Sequence, residues 1–384
     1  MNLDAIVIGV GGMGSAALAH IAARGRRVLG LERFEPMHGR GSSHGNSRIF
    51  RRTYFLDARY VGLASRAYEL WRELEGQTSQ SLLTVTGGLM LGPREHNIVD
   101  GALRSAQEHG LAHELLDVAE LRRRYPSMRF RDGEVALYEP TAGYLRPEAC
   151  IGAHLQHAIA HGAQVRFGTS VAAWEATTNG VRVRTSEGEV FDADRLIVTA
   201  GAWLGRIAND LELPLVVERQ VMHWFAPAHL AQAEPLESLP VYIVARDEGR
   251  IYGFPYVDGE GVKLAYYRSF AEADPETVDR TVRPEEVEPV RDILENLIPG
   301  ASAQYRGSKV CLYTLTPDEH FAIGVHPKYD AVVIAGGFSG HGFKFCSIVG
   351  EIVADLALDG QTRHAIAFLA PDRFARKERE PQTA

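Results

Sequence analysis

The sequence predicts an α/β protein that joins a dinucleotide-binding domain to a second, β-rich α+β domain. Three observations predict this fold class: a glycine-rich turn between a strand and a helix near the start of the chain, a second glycine-rich crossing near its end, and a run of strand-like segments between them. With 384 residues, of which 45% are hydrophobic, the chain is long enough for two hydrophobic cores.

The first element is a nucleotide-binding unit. Asp4–Gly9 is predicted to be a buried strand, Ser15–Arg24 an alanine-rich helix and Arg27–Leu31 a second strand. The turn after the first strand has the pattern GxGxxG, and its glycines are Gly9, Gly11, Gly12 and Gly14.

The spacing of these glycines suits a bound pyrophosphate. The first glycine of the motif makes the tight turn, the second lets the backbone approach the phosphates, and the third lets helix and strand pack closely. Glu32 ends the second strand 18 positions after Gly14 and would accept hydrogen bonds from a ribose. The motif predicts a dinucleotide but does not distinguish FAD from NAD.

A basic segment of small residues follows at positions 39–52. It places His44, Arg48 and Arg51 near the predicted nucleotide. On a helical turn Arg48 and Arg51 would share a face, and a guanidinium binds a carboxylate through two hydrogen bonds. Taken alone the segment is equally consistent with a solvated loop, but its position after the nucleotide unit favours a functional role.

The middle of the chain is predicted to be rich in strands. We expect them at Gln164–Phe167, Val181–Arg184, Arg195–Gly201, Leu83–Leu91, Gln220–Ala226, Pro240–Val244, Arg250–Phe254 and Val262–Tyr267. A turn at Gly259–Gly261 joins the last two, Pro275–Ile298 is predicted to be helical, and the charged tail after Arg373 is expected to be frayed. This layout fits a second domain built from two insertions.

Two residues of this middle region have an ordinary structural interpretation from the pattern alone. Lys263 shares a strand face with Tyr267, and a lysine on a strand is usually a solvated edge charge. Val171 begins a segment that could lie against an adenine, although core packing is the simpler interpretation.

The last element is the second glycine-rich crossing. An apolar strand at 332–335 leads into Gly336–Gly342, and an amphipathic helix follows that Gly360 would end. Cys346 lies at the start of this helix. We interpret Cys346 and Cys150 as small core residues.

Composition excludes several classes of function. The formal net charge of −8 argues against binding to nucleic acid or to an anionic membrane, and no apolar run is long enough for a membrane span. The apolar stretch at Ala5–Val10 lacks the basic start of a secretory signal. The three cysteines form neither a disulfide framework nor a CxxC pair, so we expect a cytoplasmic protein without a bound metal.

Taken together, these motifs resemble the family of monomeric sarcosine oxidase and N-methyltryptophan oxidase, relatives of the pipecolate and fructosyl-amino-acid oxidases. The resemblance covers almost the whole chain. It rests on the blocks Gly9–Gly14, Gly41–Arg51, Tyr252–Pro255 with Lys263, Cys311–Thr314 with Asp318–His320, and Gly337–Lys344.

The resemblance implies a two-dinucleotide-fold FAD-binding domain and a β-rich α+β substrate domain. The FAD-binding domain would comprise residues 1–84, 147–216 and 317–384, and the substrate domain residues 85–146 and 217–316. FAD would be attached covalently through an 8α-thioether to Cys311. The implied cofactor-binding residues are Gly9, Gly11, Gly12, Gly14, Glu32, Arg33, Ser42, Ser43, Arg48, Val171, Gly201, Trp203, Cys311, Gly337, Gly340, Gly342, Phe343 and Lys344.

The resemblance also implies roles for the residues around the substrate. Arg51 and Lys344 would bind its carboxylate, and Lys263 would be the cation that assists the reaction with oxygen. His44 and Arg48 would lie beside the flavin ring. The substrate pocket would be lined by Tyr54, Tyr252, Tyr267 and Tyr313.

The implied function is oxidation of a small N-methyl amino acid such as sarcosine by FAD and oxygen, giving an imine and hydrogen peroxide, in a monomer. Tyr267 stands where the family has a histidine, so the reaction class is expected to hold while the identity of the amine stays open. The alternatives are a cyclic imino acid or a glycated amino acid as substrate, or an acceptor other than oxygen. An NAD-dependent dehydrogenase and a non-catalytic flavin-binding protein are more distant alternatives.

Overall fold

The structure, a computed structural model, describes residues 3–374, so most of the tail expected to be frayed lies outside the described residues. The helices are α1 Gly12–Ala23, α2 Tyr60–Thr78, α3 Asn97–Glu108, α4 Val118–Arg124, α5 Pro147–Ala160, α6 Leu204–Ile207, α7 Glu234–Glu237, α8 Pro284–Leu297 and α9 Cys346–Asp359. The strands are β1 Leu3–Ile8, β2 Val28–Leu31, β3 Arg48–Phe50, β4 Leu83–Val85, β5 Gly88–Pro93, β6 Glu114–Leu116, β7 Glu134–Glu139, β8 Gly143–Leu145, β9 Gln164–Arg166, β10 Val171–Thr177, β11 Gly180–Thr185, β12 Val190–Val198, β13 Val216–Ala226, β14 Val241–Arg246, β15 Gly249–Val257, β16 Gly261–Tyr266, β17 Gln304–Leu315, β18 Ala322–His326 and β19 Tyr329–Gly336.

The first large sheet is built around β1, which pairs in parallel with β2 on one side and β12 on the other. β9 extends the sheet beyond β2. The start of β12 pairs with the antiparallel β11, whereas its end pairs in parallel with β19. Because β1, β2, β12 and β19 are parallel, their carboxyl ends meet at one edge, where ligands of such sheets bind.

Helices α1, α5 and α9 cover one face of this sheet. Val7 of the sheet belongs to the same buried cluster as Ile21 of α1, Ile151 of α5 and Ile352 of α9. Packing of these apolar side chains stabilises α1 in the position that aims its N-terminus at the sheet edge.

The second large sheet runs in the order β17-β13-β16-β15-β14-β5-β7-β6 and is antiparallel except for the pair β14 and β5. Helix α8 packs on it, with Val290 and Leu294 in one buried cluster with Phe225 and Leu264. A small third sheet, β3-β8-β4, completes the fold. The mixed architecture confirms the predicted α/β class with a β-rich second part, while the domain boundaries stay a prediction.

Most predicted elements are present, with ends that shift by a few residues. The N-terminal strand–helix–strand unit is formed by β1, α1 and β2, and the antiparallel run by β14, β15 and β16. Gly360, with φ of 72°, ends α9 as expected. Cys150 and Cys346 are buried, in agreement with their interpretation as core residues.

Three expectations about local structure were wrong. The segment Leu83–Leu91 forms two strands in different sheets, because Gly87, with φ of 76°, turns the chain between them. Arg48 and Arg51 do not share a helical face. Arg48 lies in the extended β3, where side chains three positions apart point to opposite sides.

The third correction concerns the predicted helix Pro275–Ile298. The helix α8 begins only at Pro284, a residue favoured in the first helical turn. Residues 275–283 instead run irregularly towards the first sheet, where Glu276 pairs with Arg33.

The solvated-edge interpretation of Lys263 is also wrong. β16, which carries it, lies between β13 and β15 in the interior of the second sheet. Lys263 is 2% exposed. A buried lysine on a central strand needs specific partners, which the site supplies. Within residues 3–374, no helix has the length and apolarity needed to cross a membrane.

Candidate active site

A cavity of about 500 Å³ lies between the two large sheets. On one side it is lined by residues that follow β1, β2, β12 and β19, and on the other by residues of β15 and β17. Its volume is in the usual range for ligand-binding pockets. The topology therefore places the glycine-rich turns and the β-rich part around one space.

The N-terminal glycines bring the backbone to the edge of the cavity. Gly9 has φ of 87°, and a Cβ there would lie 2.7 Å from the carbonyl oxygen of Thr199. Gly14 does not line the cavity, but a Cβ on it would lie 1.9 Å from the Gly9 carbonyl oxygen. These positions need glycine so that α1 can start directly at the cavity wall, where its free N–H groups suit phosphates.

Glu32 lies at the end of β2 and is buried. Its carboxylate accepts hydrogen bonds from Val10 N at 2.7 Å and Phe34 N at 3.0 Å, and the His38 ring lies 3.4 Å away. Burial alone would raise the pKa of Glu32, but these partners hold it below its ordinary value. The carboxylate is thus ionised and able to accept a ribose hydroxyl.

Charged residues from two distant segments of the chain meet at the cavity wall. Arg33 forms two hydrogen bonds with Glu276, at 2.5 and 2.9 Å, and Trp203 Nε1 donates to the same carboxylate at 2.8 Å. Val171 and Gly201 line the wall beside them.

The second glycine crossing forms the opposite wall. Gly337 and Gly340 have φ of 61° and 78°, and a Cβ on Gly340 would lie 2.5 Å from the Tyr313 ring. The Ser339 amide donates to the Thr314 carbonyl at 2.8 Å, which ties the crossing to β17. The Thr314 hydroxyl is buried, lines the cavity and has no hydrogen-bond partner among the described residues.

Cys311 lies in β17 behind Arg48. Its sulfur is 3.6 Å from the Arg48 Nη2 atom, and the residue is 1% exposed. Burial alone would lower the pKa of Arg48, but the thiol and the neighbouring phenols raise it above its ordinary value. A permanent cation therefore lies against the sulfur, although Cys311 itself is not among the cavity-lining residues.

Lys263 lies on the other side of the loop that carries His44 and Arg48. Its Nζ donates to the carbonyls of Gly45 and Ser47 at 2.8 and 2.7 Å, and the Ser47 hydroxyl is 3.4 Å away. Burial and Arg48 lower the pKa of Lys263 well below its ordinary value. The three oxygen acceptors match the three N–H bonds of the ammonium form, which they stabilise.

His44 is buried, and both its ring nitrogens lack hydrogen-bond partners among the described residues. Burial and the charges of Arg48 and Lys263 lower its pKa to about 3, so the ring is neutral near pH 7. It faces a second recess rather than the main cavity.

Two buried cations meet in the main cavity. Arg51 is 2% and Lys344 is 5% exposed. The Arg51 guanidinium lies 4.2 Å from the centre of the Phe55 ring. Burial and Arg51 lower the pKa of Lys344 well below its ordinary value. A carboxylate bound between these side chains would relieve the repulsion between them.

Three phenols line the same cavity as this pair of cations. Tyr252, Tyr267 and Tyr313 line the cavity, and the Tyr267 hydroxyl is buried without a partner among the described residues. Tyr54 lies behind the wall, with its hydroxyl 2.5 Å from His341 Nδ1.

The cavity brings together most of the residues that the sequence singled out. Those that line it are Gly9, Gly11, Gly12, Glu32, Arg33, Ser42, Ser43, Arg48, Arg51, Val171, Gly201, Trp203, Tyr252, Tyr267, Tyr313, Gly337, Gly340, Gly342, Phe343 and Lys344. Those that do not are Gly14, His44, Tyr54, Lys263 and Cys311. Sequence reasoning missed Glu276 and Arg206, which come from segments without a motif, and assigned no role to Thr314 and His341 although they lie in the quoted blocks.

The residues present fit FAD. The backbone at Gly9–Gly12 offers room and N–H groups for the phosphates. The ionised Glu32 can accept a ribose hydroxyl, and the unpartnered Thr314 hydroxyl is available to the flavin ring. Among residues 3–374, no cluster of three or more His, Cys, Asp or Glu side chains could hold a metal ion.

Comparison with known proteins agrees with this geometry. A family model described as FAD dependent oxidoreductase matches residues 4–356. The monomeric sarcosine oxidase of Streptomyces avermitilis is 48% identical over 97% of this chain and 98% of its own length. The N-methyl-L-tryptophan oxidase of Yersinia pestis is 32% identical over 97% of this chain and 100% of its own.

One solved structure shows the same fold. The L-proline dehydrogenase of P. horikoshii superposes with a TM-score of 0.85 at 24% identity, covering 98% of each chain. At this identity the likeness concerns the fold alone.

Proposed function

This chain belongs to the FAD-dependent oxidoreductase family and groups within it with the monomeric sarcosine oxidases, and from that premise we propose that it oxidises the C–N bond of a small secondary amino acid such as sarcosine. The observation that carries the proposal is the pair of buried cations, Arg51 and Lys344, in the same cavity as the nucleotide cradle. Two buried cations without a carboxylate between them are costly, so the site is built for an anion.

Binding of the substrate follows from this pair of cations. The carboxylate would accept two hydrogen bonds from Arg51 and one from Lys344. The phenols of Tyr252, Tyr267 and Tyr313 would enclose the remainder of a small substrate. With the carboxylate fixed at one end, the C–N bond is restricted in how it can lie in the cavity.

The amine must lose its proton before it is oxidised. Arg48, Arg51 and Lys344 all line the cavity, and nearby positive charge favours the neutral amine over the ammonium form. No side chain is therefore required as a dedicated base. FAD, when bound, would supply the two-electron acceptor for the hydride equivalent, and we propose oxygen as the final acceptor, giving hydrogen peroxide.

We assign Cys311 as the attachment point of the flavin. With FAD bound, the Arg48 guanidinium beside the sulfur would stabilise negative charge that develops there as the bond to the flavin methyl carbon forms. Forming this C–S bond from an S–H and a C–H group would release two electrons and two protons, and oxygen would accept both to give hydrogen peroxide. Cys346, the rival by chemistry, has a pKa raised by burial, which disfavours its thiolate.

Lys263 would assist the reaction with oxygen. It is held against the loop of Gly45 and Ser47, next to Arg48, and its ammonium form would place a positive charge there. A fixed positive charge stabilises the negative charge that oxygen gains on accepting an electron.

Steady-state analysis of the purified protein tests the proposal. With sarcosine in air, each molecule of oxygen consumed should yield one molecule each of hydrogen peroxide, formaldehyde and glycine. L-Proline, pipecolate and a fructosyl amino acid in the same assay would rank the alternative substrates. Turnover with an artificial acceptor but without peroxide would identify a dehydrogenase, and a colourless protein without turnover would refute the proposal.

A further inference from the structure

His341 contacts Lys344 directly and reaches Arg51, the other half of the carboxylate-binding pair, through Tyr54. It lines the cavity and is 6% exposed to solvent. Its backbone carbonyl accepts a hydrogen bond from Lys344 Nζ at 2.6 Å. Its ring is held on both sides, with Nδ1 2.5 Å from the Tyr54 hydroxyl and Nε2 2.9 Å from the Glu319 carbonyl oxygen.

These contacts define the tautomer of the ring. A carbonyl oxygen only accepts, so Nε2 carries the proton and donates it to Glu319. Nδ1 is then an acceptor and takes the hydroxyl proton of Tyr54. Burial and the charge of Lys344 lower the pKa of His341 well below its ordinary value, so the ring stays neutral and Nδ1 stays free to accept.

Tyr54 carries this constraint to the two cations. The Arg51 guanidinium lies 4.6 Å and the Lys344 amino group 5.4 Å from the centre of its ring. An aromatic face attracts cations, so the orientation of the Tyr54 ring contributes to where both charges rest, together with the Phe55 ring beside Arg51. The hydrogen bond from Tyr54 to His341 fixes that orientation.

We propose that His341 is the positioning residue of the substrate-binding site: its carbonyl and its ring, acting through Tyr54, hold Lys344 and Arg51 at the spacing that a substrate carboxylate requires. The inference rests on the proposed function, because it assumes that the ligand of this pair is a carboxylate.

The physical need for such a residue lies in the pair itself. Arg51 and Lys344 repel each other, and a lysine side chain has enough rotamer freedom to move away when nothing holds it. The π face of Tyr54 and the His341 carbonyl supply attraction without adding a negative charge, which would compete with the substrate. The backbone of Glu319, with φ of 57°, stabilises the ring from outside the cavity.

The test compares His341→Leu with His341→Asn by anaerobic flavin reduction with sarcosine. The leucine removes both ring hydrogen bonds, whereas the asparagine oxygen replaces the Nδ1 acceptor for Tyr54. We expect His341→Leu to raise the dissociation constant for sarcosine by roughly 10- to 100-fold, the effect of losing buried hydrogen bonds. The limiting rate of reduction should fall far less, and His341→Asn should recover most of the affinity.

Tyr54→Phe keeps the aromatic ring, removes only the hydroxyl, and remains informative if His341→Leu does not fold. It should weaken sarcosine binding in the same direction, and the double variant should bind no worse than His341→Leu alone, because the contact that Tyr54→Phe removes is already lost in His341→Leu. An unchanged dissociation constant in His341→Leu, or a loss confined to the rate of reduction, would overturn the inference.

A second readout separates this inference from the proposed function. Titration with propionate, followed by the flavin absorbance, measures carboxylate binding without turnover. Weaker propionate binding in His341→Leu supports the positioning role even when sarcosine does not reduce the wild-type flavin. Equal propionate binding in both proteins, with sarcosine still oxidised, contradicts the positioning role and leaves the function intact.

Discussion

Lys263 and Lys309 both lie near Trp224 on the second sheet, but only Lys263 is enclosed. Its amino group is 4.7 Å from the centre of the Phe254 ring and donates to two backbone carbonyls, whereas Lys309 is exposed and contacts Asn46. The same residue type therefore offers a fixed charge at one position and a solvated charge at the other, which makes Lys309 a matched control.

Replacing Lys263 with Met should slow reoxidation of the reduced flavin by about 100-fold or more, because the developing negative charge on oxygen loses its fixed partner. Flavin reduction under anaerobic conditions should change much less. Stopped-flow measurement of the two half-reactions separates these effects, and Lys309→Met should leave both within about twofold. Equal losses in both half-reactions for Lys263→Met would contradict the assigned role.

Lys344 gives the site a predictable pH dependence. A carboxylate binds its ammonium form, and burial together with Arg51 lowers its pKa in the free protein. As the pH rises through that lowered pKa, the fraction of Lys344 in the ammonium form falls. Carboxylate binding therefore weakens, and the lysine takes up a proton when the carboxylate binds.

The dissociation constant of propionate, measured between about pH 6 and 10 by flavin absorbance, should rise by up to about tenfold per pH unit above the lowered pKa. Lys344→Met should bind propionate more weakly and lose most of this dependence. A wild-type dissociation constant that is independent of pH over this range would show that Lys344 does not bind the carboxylate.

The role of a single residue could be predicted from the sequence where that residue belongs to a motif with a known chemical function. Most of the predicted glycines, Glu32 and the pair Arg51 and Lys344 lie in recognisable blocks, and the structure places them in one cavity, although Gly14 lies outside it. Glu276 could not be predicted, because its contact with Arg33 joins segments that are 243 positions apart. The role of His341 depends on a hydrogen bond to Tyr54, which the pattern around either residue does not reveal.

At the scale of elements, the close approach of β1 and α1 depends on Gly14. A methyl group there would meet the Gly9 carbonyl oxygen at 1.9 Å, which is backbone that cannot move aside without displacing the turn. The absence of a side chain at position 14 is thus required both for the backbone turn that would hold the cofactor and for the packing of α1 against β1.

Gly14→Ala should destabilise the fold by about 3 kcal/mol or more, because it overpacks a rigid contact, and should prevent flavin binding. Gly62→Ala in α2 is the control, since nothing lies within 4 Å of a Cβ there and alanine favours a helix. Urea unfolding and the flavin content of the purified proteins measure both effects. A Gly14→Ala protein with wild-type stability and full flavin content would contradict the account of the turn.

Elements with one clear periodicity could be predicted, such as β1, α1 and α9. The sequence failed where long-range contacts decide the local structure. Arg48–Phe50 becomes a strand because β8 pairs with it. Residues 275–283 lack helical structure, and their side chains bind distant partners, as Glu276 does with Arg33.

At the scale of the whole molecule, residues 267–283 link the two large sheets; we call this segment the strap. It leaves β16, donates from Ala273 N to the Val217 carbonyl of β13, and then reaches Arg206 and Arg33 at the rim of the cavity. Since Glu276 lines the cavity, the strap forms part of its wall.

Glu276→Gln should therefore loosen the wall and speed release of FAD. In a Cys311→Ser background, where the flavin is not tethered, we expect the dissociation rate of FAD to rise by roughly 3- to 10-fold, in line with a partly exposed ion pair. Glu285→Gln, at an exposed glutamate of α8, is the control. A rate that is unchanged in Glu276→Gln, measured by the return of flavin fluorescence, would show that the strap does not retain the cofactor.

The two-part architecture could be inferred from the order of motifs along the chain. The glycine-rich turns between strand and helix indicate a nucleotide-binding part, and the run of strand-like segments indicates a second, β-rich part. The way the two sheets enclose one cavity could not be inferred, because it depends on contacts such as those of the strap. These contacts join residues with no shared local signal.

The most direct measurement of the central claim is anaerobic mixing of the purified protein with sarcosine, followed by admission of air. We predict that the oxidised flavin absorbance disappears under anaerobic conditions and returns in air with one equivalent of hydrogen peroxide per flavin. A flavin spectrum that sarcosine and other secondary amino acids leave unchanged would contradict the account.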